Sequence, residues 1–402
     1  IDMQKARYSA AIDEFAAIYG ADREITLYSV AGRSELSGNH TDHNHGRVIA
    51  ASIDLDIIAV ASPNGEDIIR VKSEGFHEDV IDINVFTTPR ENPEGHSDEL
   101  IAGMVAGFRE NGYAVGGFDA YTTSNVLKGS GISSSAAFED MIGNILNHIY
   151  NDGEIDNVEI AKIAQYAENV FFGKPCGLMD QAACASGGCL WMDFEDGANP
   201  KTEKVEFDIS KYGYSLCIVN TGGNHADLTD DYASVPAEMH SIAALMGKQT
   251  LRSCDEDDFM SRVHYLRSIA GDRAIMRAMH YFAENKRVDK QLSALKRGDF
   301  DAYLSLVTAS GNSSFKFLQN VYTNRNVSEQ GISLALAITE RFGAVCRVHG
   351  GGFAGTIQAY IKTDAVNDYK KAIEEVFGEN NCQVYTIRPY GASAVKENEI
   401  LG

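Results

Sequence analysis

Several common signatures are missing from this 402-residue chain, and each absence closes a class of function. No apolar run approaches the roughly 20 residues of a membrane helix. The N-terminal stretch, amphipathic and carrying Asp2, Lys5 and Arg7, lacks the apolar core of a secretory signal, so the expectation is a soluble, cytoplasmic protein with no membrane partner. Positive charge is scarce: 35 Lys and Arg face 57 Asp and Glu, a net charge of −22, with a pI near 4.9. A nucleic-acid surface needs clustered cations, so nucleic acid is excluded as a partner. Any anionic ligand must then be held by local geometry, through backbone amides and helix N-termini. The seven cysteines contain no CxxC pair and read neither as a disulfide framework nor as a zinc site. Cys184 and Cys189 read as core thiols. There is no GxxxxGK[ST] loop, no HExxH helix, no internal repeat and no low-complexity tract.

What is present is an ordinary globular composition, 44% hydrophobic and 9% aromatic, in a chain long enough for two domains. Residues 25–32 and 47–62 are rich in Ile and Val and read as strands flanking a polar loop, Arg33 to Gly46. A further strand, 117–126, leads through a Gly/Ser cluster into a helix whose apolar face is Phe138, Met141, Ile142, Ile145, Leu146 and Ile149. A helix over 155–172 precedes GKPCGLMDQAACAS, and a new apolar strand begins at 214. The charged stretch Glu195 to Lys204 suggests a domain boundary, giving domains 1–200 and 201–402. Residues 256–340 read as mainly helical, and 344–362 as strand, glycine turn and strand, before an amphipathic helix and a last strand.

Three segments carry chemistry. LKGSGISSSAAFE (127–139) is almost wholly Gly and Ser from Gly129 to Ser135 at the mouth of a helix. Such a segment is either a phosphate cradle, since first-turn N–H groups lack intrahelical partners, or a capped helix after a flexible turn. GGGFAG (350–355) demands close backbone approach, as a tight hairpin or as a ligand contact. HTDHNH (40–45) offers His40, Asp42, His43 and His45 to a metal or to a polar sugar pocket.

Together these segments resemble the galactokinase branch of the GHMP kinases (galactose, homoserine, mevalonate and phosphomevalonate kinases). AGRSELSGNHTDHNHG (31–46) is similar to the family's GRxNLIGEHTDYNxG, residues 129–137 to its GxGxSSSAA loop, and PCGLMDQ (175–181) to its PCGIMDQ. RVHGGGFAG (347–355) completes the set. The resemblance implies an α+β, two-domain GHMP-kinase fold with the active site in the interdomain cleft, and an ATP- and Mg²⁺-dependent sugar 1-kinase whose partners are a small sugar and ATP. It implies that Asp180 is the catalytic aspartate with Arg33 beside it. The nucleotide would be wrapped by Gly129, Ser130, Gly131, Ser133, Ser134 and Ser135, with Gly350, Gly351 and Gly352 near the site and Ser135 and Glu168 as Mg²⁺ ligands. The sugar would meet Asn39, His40, Asp42, Gly177, Asp180 and Tyr232.

The family's GEHTDY is here GNHTDH, so Asn39 and His43 stand where Glu and Tyr are usual. Removing a fixed negative charge makes a uronic acid tolerable at C6, so galacturonate is the alternative substrate to galactose. A non-catalytic galactokinase-like sensor is a second alternative, which the intact Ser134, Ser135, Ala136 and Ala137 argue against. A metal hydrolase built on HTDHNH is a third, and it requires a bound Zn²⁺.

Overall fold

In a computed structural model, the chain is described over residues 2–125, 134–174, 176–197, 199–223 and 228–395. Small and branched apolar residues draw Thr26–Ser37 (β1) and Arg47–Pro63 (β2) into a long antiparallel pair. β2 carries two neighbours in turn: its first half pairs Cys189–Asp193 (β6), and its second half pairs Phe118–Ser124 (β5). Ile68–Ser73 (β3) lies parallel to β5 and antiparallel to Glu78–Asp82 (β4), while Lys201–Val205 (β7) pairs β6. Ser393–Val395 (β12) returns from the far end of the chain to the free edge of β1.

The second sheet is wholly antiparallel and ordered β11, β8, β10, β9, from Tyr214–Asn220 (β8), Val345–His349 (β9), Thr356–Lys362 (β10) and Cys382–Tyr385 (β11). It is flanked by helices drawn mainly from residues 229–341 and by Val366–Phe377. The first sheet is covered by helices Ser97–Glu110, Ser134–Tyr150 and Asn157–Tyr166. The predicted face of the 134–150 helix is the one buried: Met141, Ile142, Ile145 and Leu146 lie in the core beneath β1 and β2, with Phe138 and Ile149 at its margin.

One local expectation needs correction. The segment Arg33 to Gly46 is not a loop throughout, because β1 continues to Ser37 and only the rest turns through the short helix Asp42–Asn44. Ser34, Glu35 and Ser37 look polar enough for a loop, but each is buried against a partner from the C-terminal half: Ser34 on His349 (3.1 Å) and Gln358 (3.0 Å), Glu35 on Arg347, and Ser37 on Gln291. Those polar contacts stitch β1 to the second sheet and, through Gln291, to the helix Val263–Arg297, and the candidate site lies at that seam. Among the described residues no helix is long and apolar enough to cross a membrane.

Candidate active site

Arg33 and Asp180 meet at the junction of the two sheets. The β1 register shifts between Ala31 and Arg33, and such irregularities re-aim side chains. Arg33 Nε donates to Asp180 Oδ1 at 2.6 Å and Nη2 donates to Oδ2 at 2.9 Å, a two-pronged pair that fixes both planes. Burial works against the guanidinium charge, but Asp180 outweighs it and the Arg33 pKa is raised. The Arg33 side chain is 8% exposed and that of Asp180 31%, so the arginine is buried while the carboxylate is partly exposed.

The candidate sugar segment, Arg33 to Gly46, grips the glycine turn between β9 and β10, and Tyr232 holds the same turn. Asn39 Nδ2 donates to Gly350 O at 2.7 Å, and Tyr232 Oη donates to Gly352 O at 2.8 Å. His40 Nε2 lies 3.0 Å from Gly351 O, an acceptor only, so the proton sits on Nε2. His40 Nδ1 is then a buried acceptor, and it has no partner among the described residues. Burial, then His43, lowers the His40 pKa to about 4, which keeps the ring neutral. Tyr232 packs edge-on against Phe353, its pKa pushed up to about 12 by burial and then Asp231. Gly177 is required by Asp42: a Cβ there would stand 2.7 Å from Asp42 Oδ2. Asp42 thus abuts Gly177, three residues before Asp180 in the chain, with His43 and, through it, His40 on its other side, while His45 turns toward Gly197.

Asn39 is placed otherwise than a sugar-facing group would be. It is fully buried, with Nδ2 also 3.4 Å from Glu35 Oε1, while its Oδ1 accepts from Asn320 Nδ2 (2.9 Å) and Ser314 Oγ (3.2 Å). Two donors and two acceptor positions exhaust an amide.

The third cluster surrounds Glu168, in the π-helical stretch Ala167–Phe171, a type of bulge that recurs at functional sites. Its buried carboxylate accepts from Ser135 Oγ (3.3 Å), Lys174 Nζ (2.9 Å) and Gln181 Nε2 (2.7 Å). Glu139 sits alongside, sharing Gln181 Nε2 with Glu168, and burial, followed by the Glu168 charge, drives its carboxyl pKa well up. A hydroxyl and a carboxylate on facing elements form a hard-oxygen pair suited to a hard cation. Gly129, Ser130, Gly131 and Ser133 lie outside the described residues, as does the side chain of Ser134. Among the described residues no group of three His, Cys, Asp or Glu side chains converges as a metal-holding cluster, so HTDHNH is not gathered as a zinc site would be.

Comparison with known proteins bears on this geometry. A family model for the N-terminal domain of GHMP kinases matches residues 99–188, and one for the galactokinase galactose-binding signature matches residues 13–63. The galactokinase of Lactobacillus helveticus is 30% identical over 353 residues, spanning 86% of this chain and 88% of that protein. The chain belongs to the galactokinase family. The galactokinase of Streptomyces coelicolor is 28% identical across 91% of this chain and 92% of its own length. A solved structure of Lactococcus lactis galactokinase complexed with galactose superposes with a TM-score of 0.82 at 23% identity, covering 97% of this chain and 100% of that one, which establishes the shared fold.

Membership in the galactokinase family makes the chain a kinase, with ATP as phosphoryl donor. Sequence reasoning missed several residues on which this galactokinase-family site rests: Lys174 and Gln181 on Glu168, His280 and Asn320 on Asn39, and Arg347 on Glu35. Gln181 was signalled only as the residue after Asp180 in PCGLMDQ. His280 and Arg347 sit in a helical and a strand run, and Lys174 and Asn320 in turns just after helices, and in each the local pattern reads as ordinary surface or core.

Proposed function

We propose that the chain transfers the γ-phosphoryl group of Mg·ATP to the anomeric hydroxyl of galactose, giving galactose 1-phosphate and ADP. The observation that carries this reading is the Arg33–Asp180 pair, with the carboxylate partly exposed and the guanidinium buried. The sugar's C1 oxygen bonds to the γ-phosphorus as the bond from that phosphorus to the bridging oxygen of ADP breaks, and the electron pair leaves on ADP. Asp180 receives the hydroxyl proton. Arg33 keeps Asp180 ionised and offsets charge on the transferring group.

Around the sugar, His40 Nδ1 is an acceptor waiting for a hydroxyl donor, and an unpaired buried acceptor is costly until it is met. Asp42 is held close to Gly177 and presents a carboxylate to a neighbouring hydroxyl. Ser135 and Glu168 would hold the Mg²⁺ that neutralises phosphate charge, with phosphate oxygens filling its other positions.

ADP release measured with galactose, galacturonate, N-acetylgalactosamine, arabinose and glucose tests the reading. Galactose should be preferred, and its product should lose reducing-end reactivity because C1 is esterified. Preference for galacturonate would favour the alternative, whose remaining support is His43, since the Asn39 amide is engaged by protein groups. No turnover of any of these sugars despite tight binding would favour a sensor.

A further inference from the structure

Lys174 lies in the turn after Ala167–Phe171, where its N–H donates to Glu168 O at 3.0 Å and its ammonium returns to the Glu168 side chain. Nζ reaches Glu168 Oε1 at 2.9 Å, and the Ser135 hydroxyl reaches the same oxygen at 3.3 Å. The other oxygen, Oε2, is occupied by Gln181 Nε2 at 2.7 Å, an amide that also donates to Glu139 Oε2 at 3.1 Å. Ammonium and serine hydroxyl therefore converge on the one carboxylate oxygen a cation between Ser135 and Glu168 would have to take.

The two partners differ in freedom. The Glu168 side chain is 3% exposed and held from three sides, whereas the Lys174 side chain is 62% exposed on a flexible stem. A buried carboxylate that stays ionised needs a compensating charge, and a single ammonium provides one that can leave. Partial burial of its stem works against the Lys174 charge, but Glu168 and then Asp180 outweigh it and the Lys174 pKa is raised.

We infer that Lys174 is the resident counter-ion of the metal carboxylate: it occupies Glu168 Oε1 in the nucleotide-free protein, weakens but does not abolish the binding of a bare divalent cation, and gives way fully when the cation arrives with the nucleotide. This rests on the assignment of Ser135 and Glu168 as the metal's protein ligands. It makes metal and nucleotide binding mutually dependent, because the pair displaces the ammonium more readily than the bare cation does.

Mn²⁺ binding to the nucleotide-free protein, read by electron paramagnetic resonance, tests the inference with Lys174→Met, Lys174→Arg and Glu168→Gln, each checked for folding by circular dichroism. Lys174→Met should bind Mn²⁺ about tenfold more tightly than wild type, because the competing charge is gone. Lys174→Arg should stay close to wild type, and Glu168→Gln should bind more weakly than either. If Glu168→Gln binds Mn²⁺ as wild type does, the ligand assignment fails and takes the inference with it. If Glu168→Gln loses Mn²⁺ while Lys174→Met binds no more tightly than wild type, the counter-ion role alone is overturned.

Discussion

The side-chain amide of Asn39 donates to the carbonyl of Gly350 at 2.7 Å and so ties the sugar segment to the glycine turn of the other half of the molecule. Every other position of that amide is also taken, by Glu35, Ser314 and Asn320, and the backbone carbonyl of Asn39 accepts from His280 Nε2 at 2.9 Å. Asn39→Asp would set a carboxylate against Gly350 O and beside Glu35. A loss of about 2 to 4 kcal/mol is expected, seen as a lower urea midpoint at unchanged slope. Asn39→Glu adds a methylene to the same closed space and should lose at least as much. Wild-type stability for Asn39→Glu, with only the galactose-to-galacturonate ratio altered, would place residue 39 against the sugar instead.

Asp180→Asn keeps the shape of the site but cannot take a proton from the sugar. A fall in kcat of roughly 10²- to 10⁴-fold is expected, the usual range for a positioned base, with sugar and nucleotide dissociation constants within a few-fold of wild type by calorimetry. Arg33→Lys replaces a fork with a point charge and can satisfy only one Asp180 oxygen at a time, so kcat should drop about tenfold. Equal activity for Arg33→Lys would mean that charge alone, not the two-pronged geometry, is what Asp180 needs.

Legibility in the sequence followed locality. The helix over 134–150 was readable because Met141, Ile142, Ile145 and Leu146 repeat at helical spacing and all meet one core. β2, β8 and β10 were readable as branched apolar runs. The continuation of β1 to Ser37 was not, because Ser34, Glu35 and Ser37 are polar residues buried by partners some 250 to 325 positions away. Arg33 and Asp180 are 147 residues apart, and only the motif resemblance joined them in advance. Nothing local distinguishes Lys174 from a surface lysine, since what matters is the buried carboxylate its tip reaches.

His280 gives the molecule an acid limit. It is fully buried, its Nε2 donating to Asn39 O and its Nδ1 accepting from Ser313 Oγ at 2.9 Å, so both neighbours are satisfied by the neutral ring. Burial lowers its pKa to about 4. The folded value lies below the unfolded one, about 6.5, so the unfolded chain binds the proton first as pH falls. Stability is complete above pH 6.5 and declines toward pH 4, by up to about 1.4 kcal/mol per pH unit from this residue. Urea unfolding at pH 7, 6 and 5 should show the decline, and His280→Gln should flatten it by about one proton's worth. His40 and His349, also lowered by burial, will keep some slope in the variant. An identical slope in His280→Gln would mean that the ring is not held neutral.

Gly177→Ala isolates the Asp42 contact. The added Cβ would stand 2.7 Å from Asp42 Oδ2 but 3.6 Å from Cγ, so the clash falls on the far end of a side chain that can rotate away. The fold should tolerate this at a loss under about 1 kcal/mol, while the carboxylate leaves its place and the sugar KM rises about tenfold at nearly constant kcat. Asp42→Ala should raise KM at least as much, because it removes the same group. In the double variant the clash no longer exists, so Gly177→Ala should add almost nothing to Asp42→Ala. Additive effects on KM would show that Gly177 serves the site by some route other than making room for Asp42.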